Sequence, residues 1–158
     1  MSIGLFLIFF AACSATAATG SLFPTGAWYE KLRKPIWTPP NWAFPIAWTL
    51  LYIVLSFVGM RAALAPNGQT ALALWALQGS LATLWTPVFF GLKKMGTAFF
   101  IMACLWVTVF SMMISFSLVE TFLGMLLIPY LLWVSYAAAL NYTVWKMNPN
   151  ETPRDLTG

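Results

Sequence analysis

Indole is the side chain with the most chemistry to offer in this sequence. Nine tryptophans accompany two cysteines, four carboxylates and no histidine. Haem and zinc sites lean so often on imidazole that a metal-dependent mechanism is not expected here. General acid–base work needs positioned proton carriers near the reacting atoms, and no acid–base pair falls within the apolar runs that make up most of the chain. What indoles can do is stack flat on a planar ligand, line an apolar cavity, or carry photochemical and radical steps. Their densest grouping is KPIWTPPNWAFPIAWT at 34–49, where Pro35, Pro39, Pro40 and Pro45 alternate with Trp37, Trp42 and Trp48.

The elements that hold these residues are set by the rest of the composition. With 61% hydrophobic and 8% charged residues, the chain has too little polar surface for a water-soluble domain. Apolar runs long enough to cross a hydrocarbon core of roughly 30 Å recur throughout, at about 3–22, 43–64, 70–92, 95–118 and 122–145. The expectation is a single all-α membrane domain over 1–158, a bundle of five transmembrane helices with an ordered Pro/Trp-rich loop between the first two. The first run has signal-peptide features in AACSATAATG at 11–20. No basic residue precedes it, however, and Ala12, Thr16 and Gly20 form a small-residue stripe suited to close packing, so a retained helix is expected. Ala65-Pro66-Asn67-Gly68, Lys93-Lys94 and Glu120-Thr121 mark the later turns.

A net charge of +4 raises nucleic acid as a partner, but the basic residues sit between the runs or at their ends rather than on one face. They read as topology signals. Lys31, Arg33, Lys34, Lys93, Lys94, Lys146 and Arg154 share one side and Arg61 has the other, which places the N-terminus out and the C-terminus in. Proton pumps, ion-coupled transporters and voltage sensors need ionisable groups at membrane depth, and none is evident; no internal repeat suggests an inverted-repeat transporter. Cys13 and Cys104 lie in separate runs and are expected to act as small hydrophobes, not as a disulfide.

Prolines 35, 39 and 40 lack backbone donors and disfavour helix before them, so 35–41 is expected to be a stiff extended loop; Pro45 fits the start of the second helix. Trp28, Trp37 and Trp42 suit the interfacial aromatic belt. Trp48 and Trp133 lie deeper, and two readings stay open for them: core filling, or the wall of a pocket capped by the loop.

Three segments carry a family resemblance: WYEKLRKPIWTPPNWAFPIAWTLLY at 28–52, LWTPVFFGLKKMG at 84–96 and PYLLWVSYAAALNYTVWK at 129–146. Together they resemble the TspO/MBR family, the tryptophan-rich sensory proteins related to the mitochondrial translocator or peripheral-type benzodiazepine receptor. The resemblance implies a five-helix bundle, commonly a homodimer, with a pocket under the first loop for porphyrins, sterol-like lipids and synthetic aromatic ligands. It implies a membrane receptor, sensor or carrier; the alternatives are light- and oxygen-dependent porphyrin degradation, and cholesterol or lipid transport. Trp48 and Trp133 match the family pair implicated in pocket lining and degradation. Trp37, Tyr52, Ala137 and Leu140 join them as ligand-binding candidates, the last two sharing a helix face with Trp133 at i+4 and i+7. Lys31, Arg33 and Lys34 are candidates for porphyrin propionates. No cofactor is required, porphyrin being ligand or substrate.

Leu140, Tyr142 and Lys146 fit a permissive sterol-recognition pattern, which an ordinary interfacial helix end also explains. The third helix offers Ala71, Gly79, Ala82 and Thr86 as a face for a second copy. One departure is Ala82, where family members often carry asparagine.

Overall fold

The computed structural model describes residues 2–151. Arg154 and the chain's end, counted above in the charge asymmetry, lie outside the described residues. In lipid a backbone must satisfy its own hydrogen bonds, and the apolar runs do so as helices: α1 (Ile3–Leu22), α2 (Gly26–Lys31), α3 (Ala43–Leu64), α4 (Gln69–Thr86), α5 (Met95–Val119), α6 (Thr121–Leu126) and α7 (Ile128–Met147). A π-helical turn, Pro87–Gly91, extends α4. Five spans long and apolar enough to cross a bilayer result, with α6 and α7 together forming the fifth.

Two spans depart from uninterrupted helices, and proline is the cause each time. Pro87 has no N–H for the next α-helical bond. The chain widens there, and Leu92 N–H reaches the Pro87 carbonyl at 2.8 Å. This brings Val88 and Phe89 inward, where both are buried. In the fifth span Pro129 enters the first turn of α7, where its missing N–H does no harm. The preceding α6 closes with Leu127 N–H on the Gly124 carbonyl at 3.1 Å. Gly124 must be glycine, because a Cβ there would lie 1.8 Å from Ser117 Oγ and 2.9 Å from the Met113 carbonyl. The short α2 was not among the expected elements; it buries Tyr29 and ends on Lys31.

The core is centred on α5. Nine of its residues are buried, among them Met102, Leu105, Val109, Met112 and Phe116, whereas α1 buries only Cys13. Phe100, Leu118 and Leu132 are more than half exposed, as lipid-facing side chains should be. Several hydroxyls at membrane depth find partners within the bundle. Thr49, Ser56, Thr108 and Ser117 each donate to a carbonyl one turn back, and the buried Tyr130 hydroxyl donates to Gln78 Oε1 at 2.7 Å. Both cysteines are free. Lys31, Arg33, Lys34, Lys93, Lys94 and Lys146 share the end of the bundle that carries α2. Arg61 pairs with Glu120 at the other end.

The face expected to receive a second copy needs correction. Ala71 is fully buried and Ala82 nearly so, while Ala82 and Thr86 line an interior cavity. Of the four small residues, Gly79 has open space before it.

Candidate ligand cavity

Between the α2 end of the bundle and mid-depth lies a cavity of about 430 Å³, within the range of roughly 300–1,000 Å³ usual for small-molecule pockets. Helices α1, α3 and α7 and the α4–π-turn segment supply most of its wall, with Tyr29 of α2 and Met102 and Leu105 of α5 completing it. Thr16, Ala17 and Gly20 of α1 form a low wall opposite Ala137, Leu140, Asn141 and Val144 of α7. Phe44, Trp48 and Tyr52 stand on successive turns of α3, and Trp85, Phe89 and Phe90 come from the π-turn region. The π turn builds the third wall: the Trp85 and Phe89 rings stack at 5.0 Å with 24° between planes, and Phe90 meets them edge-on at 5.7 and 4.8 Å. No charged side chain lines the space.

One amide fixes the polar character of the inner wall. Asn141 Oδ1 accepts from Trp85 Nε1 at 2.9 Å, and its Nδ2 donates to the Met95 carbonyl at 3.0 Å. The bond locks an aromatic wall residue of α4 to α7. It also leaves the amide one spare hydrogen and one spare lone pair.

The Pro/Trp-rich segment is a strap tied to α7 at two places. Arg33 N–H donates to Asn148 Oδ1 at 2.9 Å, and Asn148 Nδ2 donates back to the Arg33 carbonyl at 2.8 Å. Asn148 is buried, so these bonds are shielded from water. Farther along, the Tyr136 hydroxyl donates to the Trp37 carbonyl, with the two rings 5.5 Å apart. Beneath the strap, Tyr29 is buried under Lys34, whose Nζ lies 4.4 Å from the ring centroid. Burial pushes the Tyr29 phenol above its ordinary pKa.

Trp48, Tyr52, Ala137 and Leu140, all expected as ligand-binding, line the cavity. Trp133 does not: it stands behind two wall residues, edge-on to Phe44 at 5.8 Å and to Trp48 at 6.4 Å. Its Nε1 is buried without a partner among the described residues. Trp37 is 43% exposed and sits outside the cavity on the strap. Lys31 and Arg33 are exposed and Lys34 is partly so, its Nζ bonding to the Glu30 and Leu32 carbonyls; none of the three lines the cavity. The sterol-pattern residues separate: Leu140 faces inward, whereas Tyr142 is exposed and, with Lys146 over its ring at 5.5 Å, faces out. Among the described residues no group of three or more candidate metal ligands occurs.

Phe44, Trp85, Phe89, Phe90 and Asn141 belong to the wall but were not singled out from the sequence. Asn141 carried the clearest signal, an amide within an apolar run, where polar residues are expensive and tend to be functional.

The sequence model of the TspO/MBR family matches residues 6–146. Similar relatives include Protein CrtK of Rhodobacter capsulatus, 45% identical over 160 residues, which cover 99% of this chain and 100% of that one. Tryptophan-rich sensory protein of Cereibacter sphaeroides is 45% identical over 150 residues, 95% of either chain. Translocator protein of Homo sapiens is 31% identical over 137 residues, 82% of this chain and 81% of its own length. Because the matched residues run from the first span to the last and take in the strap and every helix that walls the cavity, this integral multi-pass membrane protein belongs to the TspO/MBR family.

Proposed function

We propose that the chain is a membrane receptor or carrier for tetrapyrroles, held in the cavity beneath the strap, and that it has no need of a cofactor. The observation that carries this is the wall itself: an uncharged space of about 430 Å³ bounded by Phe44, Trp48, Trp85, Phe89 and Phe90. Flat aromatic faces favour a flat aromatic guest, and the spare valences of Asn141 suit a pyrrole nitrogen or a carbonyl. Propionates would point out past the strap toward Lys31, Arg33 and Lys34, whose charges would favour them. With six described basic residues at that end and the positive-inside rule, the strap faces the cytoplasm and the N-terminus lies outside. A second copy of the chain is the expected partner within the bilayer.

Light- and oxygen-dependent porphyrin breakdown is the second reading. It is favoured by the edge-on Trp48–Trp133 pair, which places an oxidisable indole directly behind a cavity wall. Sterol carriage finds less support, since Leu140 and Tyr142 face opposite sides of α7.

Titrating the purified protein with protoporphyrin IX and following tryptophan quenching tests the proposal. Trp48→Phe keeps an apolar ring and removes the larger face, so affinity should fall roughly two- to tenfold. Trp145→Phe, whose ring meets Phe99 and Tyr142 outside the cavity, should leave it unchanged. Equal losses at both positions, tracking loss of folded protein, would refute the assignment. Illuminating the complex with and without oxygen separates the readings: product formation that requires Trp48 and Trp133 supports breakdown, and quenching alone supports binding.

A further inference from the structure

A second space of about 760 Å³ lies between α1 and α4, bordered by Ala12, Cys13, Ala76 and Gly79. Its bordering residues fall near the middles of the spans Ile3–Leu22 and Gln69–Gly91, so it belongs to the lipid interior and not to the headgroups. Thr16 and Tyr52 line both this groove and the aromatic cavity. Those two side chains are common to the walls of both spaces.

How firmly the seam is shut follows from α1. Toward its N-terminal half the helix is pinned. The Phe9 ring lies 2.7 Å from the position a Cβ on Gly59 would take, so glycine alone admits it, and Phe9 meets Trp75 edge-on at 4.8 Å. Trp75 is itself fixed by Nε1–H donating to the Leu55 carbonyl at 2.9 Å. The far end of α1 is held in the same way, the Phe23 ring lying 2.9 Å from the position a Cβ on Gly91 would take, and the stretch between these two anchors, around Thr16, borders the cavity. Its side-chain hydrogen bond to α4 runs from the Thr83 hydroxyl to Thr16 Oγ1 at 3.0 Å. The same hydroxyl lies 2.8 Å from the Gly79 carbonyl on its own helix. Thr83 has one proton and two acceptors in reach. When the middle of α1 bows away between its anchors, that proton turns to Gly79, and no donor is stranded in lipid.

We propose that the α1–α4 seam is a side entrance through which a membrane-dissolved ligand passes from the hydrocarbon into the cavity, with Thr16–Thr83 as its latch and Phe9–Gly59 and Phe23–Gly91 as its fixed ends. The inference rests on the cavity being the ligand site. It adds that the ligand arrives already partitioned in the bilayer, in keeping with the uncharged wall and with a strap tied down at Arg33 and Trp37.

The test needs no porphyrin, so its failure is distinguishable from failure of the tetrapyrrole assignment. A reporter thiol, Ala137→Cys, is placed in the cavity of a chain carrying Cys13→Ala and Cys104→Ala, reconstituted in phosphatidylcholine vesicles. A pyrene maleimide dissolved in the bilayer should label it faster than a quaternary-ammonium methanethiosulfonate supplied from water. Gly79→Trp and Ala76→Phe, which fill the groove from positions with room or exposure, should each slow the pyrene reagent toward the aqueous one. Thr83→Val, which keeps shape and removes the latch, should speed it about threefold, the rate equivalent of one hydrogen bond between membrane helices. Labelling by pyrene that ignores both blocking variants, or that is slower than labelling from water, overturns the proposal. If the blocking variants instead abolish a dimer and leave the rate unchanged, the groove belongs to a second copy of the chain.

Discussion

Asn141 is the residue whose loss should be felt most by the cavity, and the hydrogen bonds say by how much. Asn141→Leu keeps the volume but removes the acceptor of Trp85 Nε1 and the donor to the Met95 carbonyl, in a residue only 3% exposed. Hydrogen bonds between membrane helices average nearer 0.6 kcal/mol than the value of about 1 seen in water-soluble proteins. The larger effect is the stranded indole N–H, for which about 1–3 kcal/mol applies. Together these give about 2–4 kcal/mol, or a melting point roughly 5–15 °C lower for a chain of this size. Trp85→Phe removes the donor instead and retains stacking on Phe89, so it should cost less. The double variant has no stranded N–H, and its cost should fall short of the sum of the singles by about 1 kcal/mol or more. Thermal unfolding of the four proteins in one detergent measures this cycle. Additivity within about 0.5 kcal/mol would mean that the bond couples nothing, and the account of Asn141 as the tie between α4 and α7 would be wrong.

Other consequences can be measured separately. Gly124→Ala drives a Cβ into Ser117 Oγ and the Met113 carbonyl; the loss of folded protein should exceed about 2 kcal/mol, and adding Ser117→Ala should recover only part of it, because the carbonyl cannot retreat. Releasing the strap by Asn148→Ala or Tyr136→Phe should speed proteolysis within 33–42 while leaving the five spans intact, and unchanged cleavage in both variants would count against the two ties. Tyr29 gives a pH dependence: its phenol is held above the ordinary value of 10.0 by burial, so the folded state keeps the proton more tightly than the unfolded chain. Its contribution is complete below about pH 10 and is lost as pH rises toward the folded pKa. Tyr29→Phe should flatten this alkaline limb of the melting curve, and a limb of unchanged steepness would assign it elsewhere.

How far the fold could be read in advance depended on how long-ranged each cause was. A bilayer imposes one requirement on some twenty consecutive residues, and the five spans declare themselves from hydropathy alone. Proline acts on one turn. The runs at 84–92 and 122–130 look uninterrupted by composition, yet Pro87 widens one and Pro129 divides the other. The aromatic wall follows directly from that local event, for Phe89 and Phe90 reach the cavity through the π turn, which a pattern of 3.6 residues does not anticipate. Trp133 illustrates the opposite failure. Spacing correctly groups it with Ala137 and Leu140 on α7, but spacing does not say that Phe44 and Trp48 stand in front of it.

The replacement at 82 has a related lesson. Ala82 and Asn141 line the same cavity from α4 and α7. The amide that family members often carry at 82 is absent, whereas the amide at 141 is present and already holds Trp85, one turn beyond Ala82. Asn141 thus ties the wall together and keeps a spare amide valence, while the small Ala82 side chain leaves cavity volume open. An Ala82→Asn variant would place a second amide in that space. Its desolvation would be costly unless it found a partner, and two candidates are Asn141 and the ligand itself. Porphyrin affinity and melting temperature should therefore separate in this variant. Pairing with Asn141 would raise stability and lower affinity by filling the cavity, and pairing with the ligand would raise affinity while the empty protein melts lower.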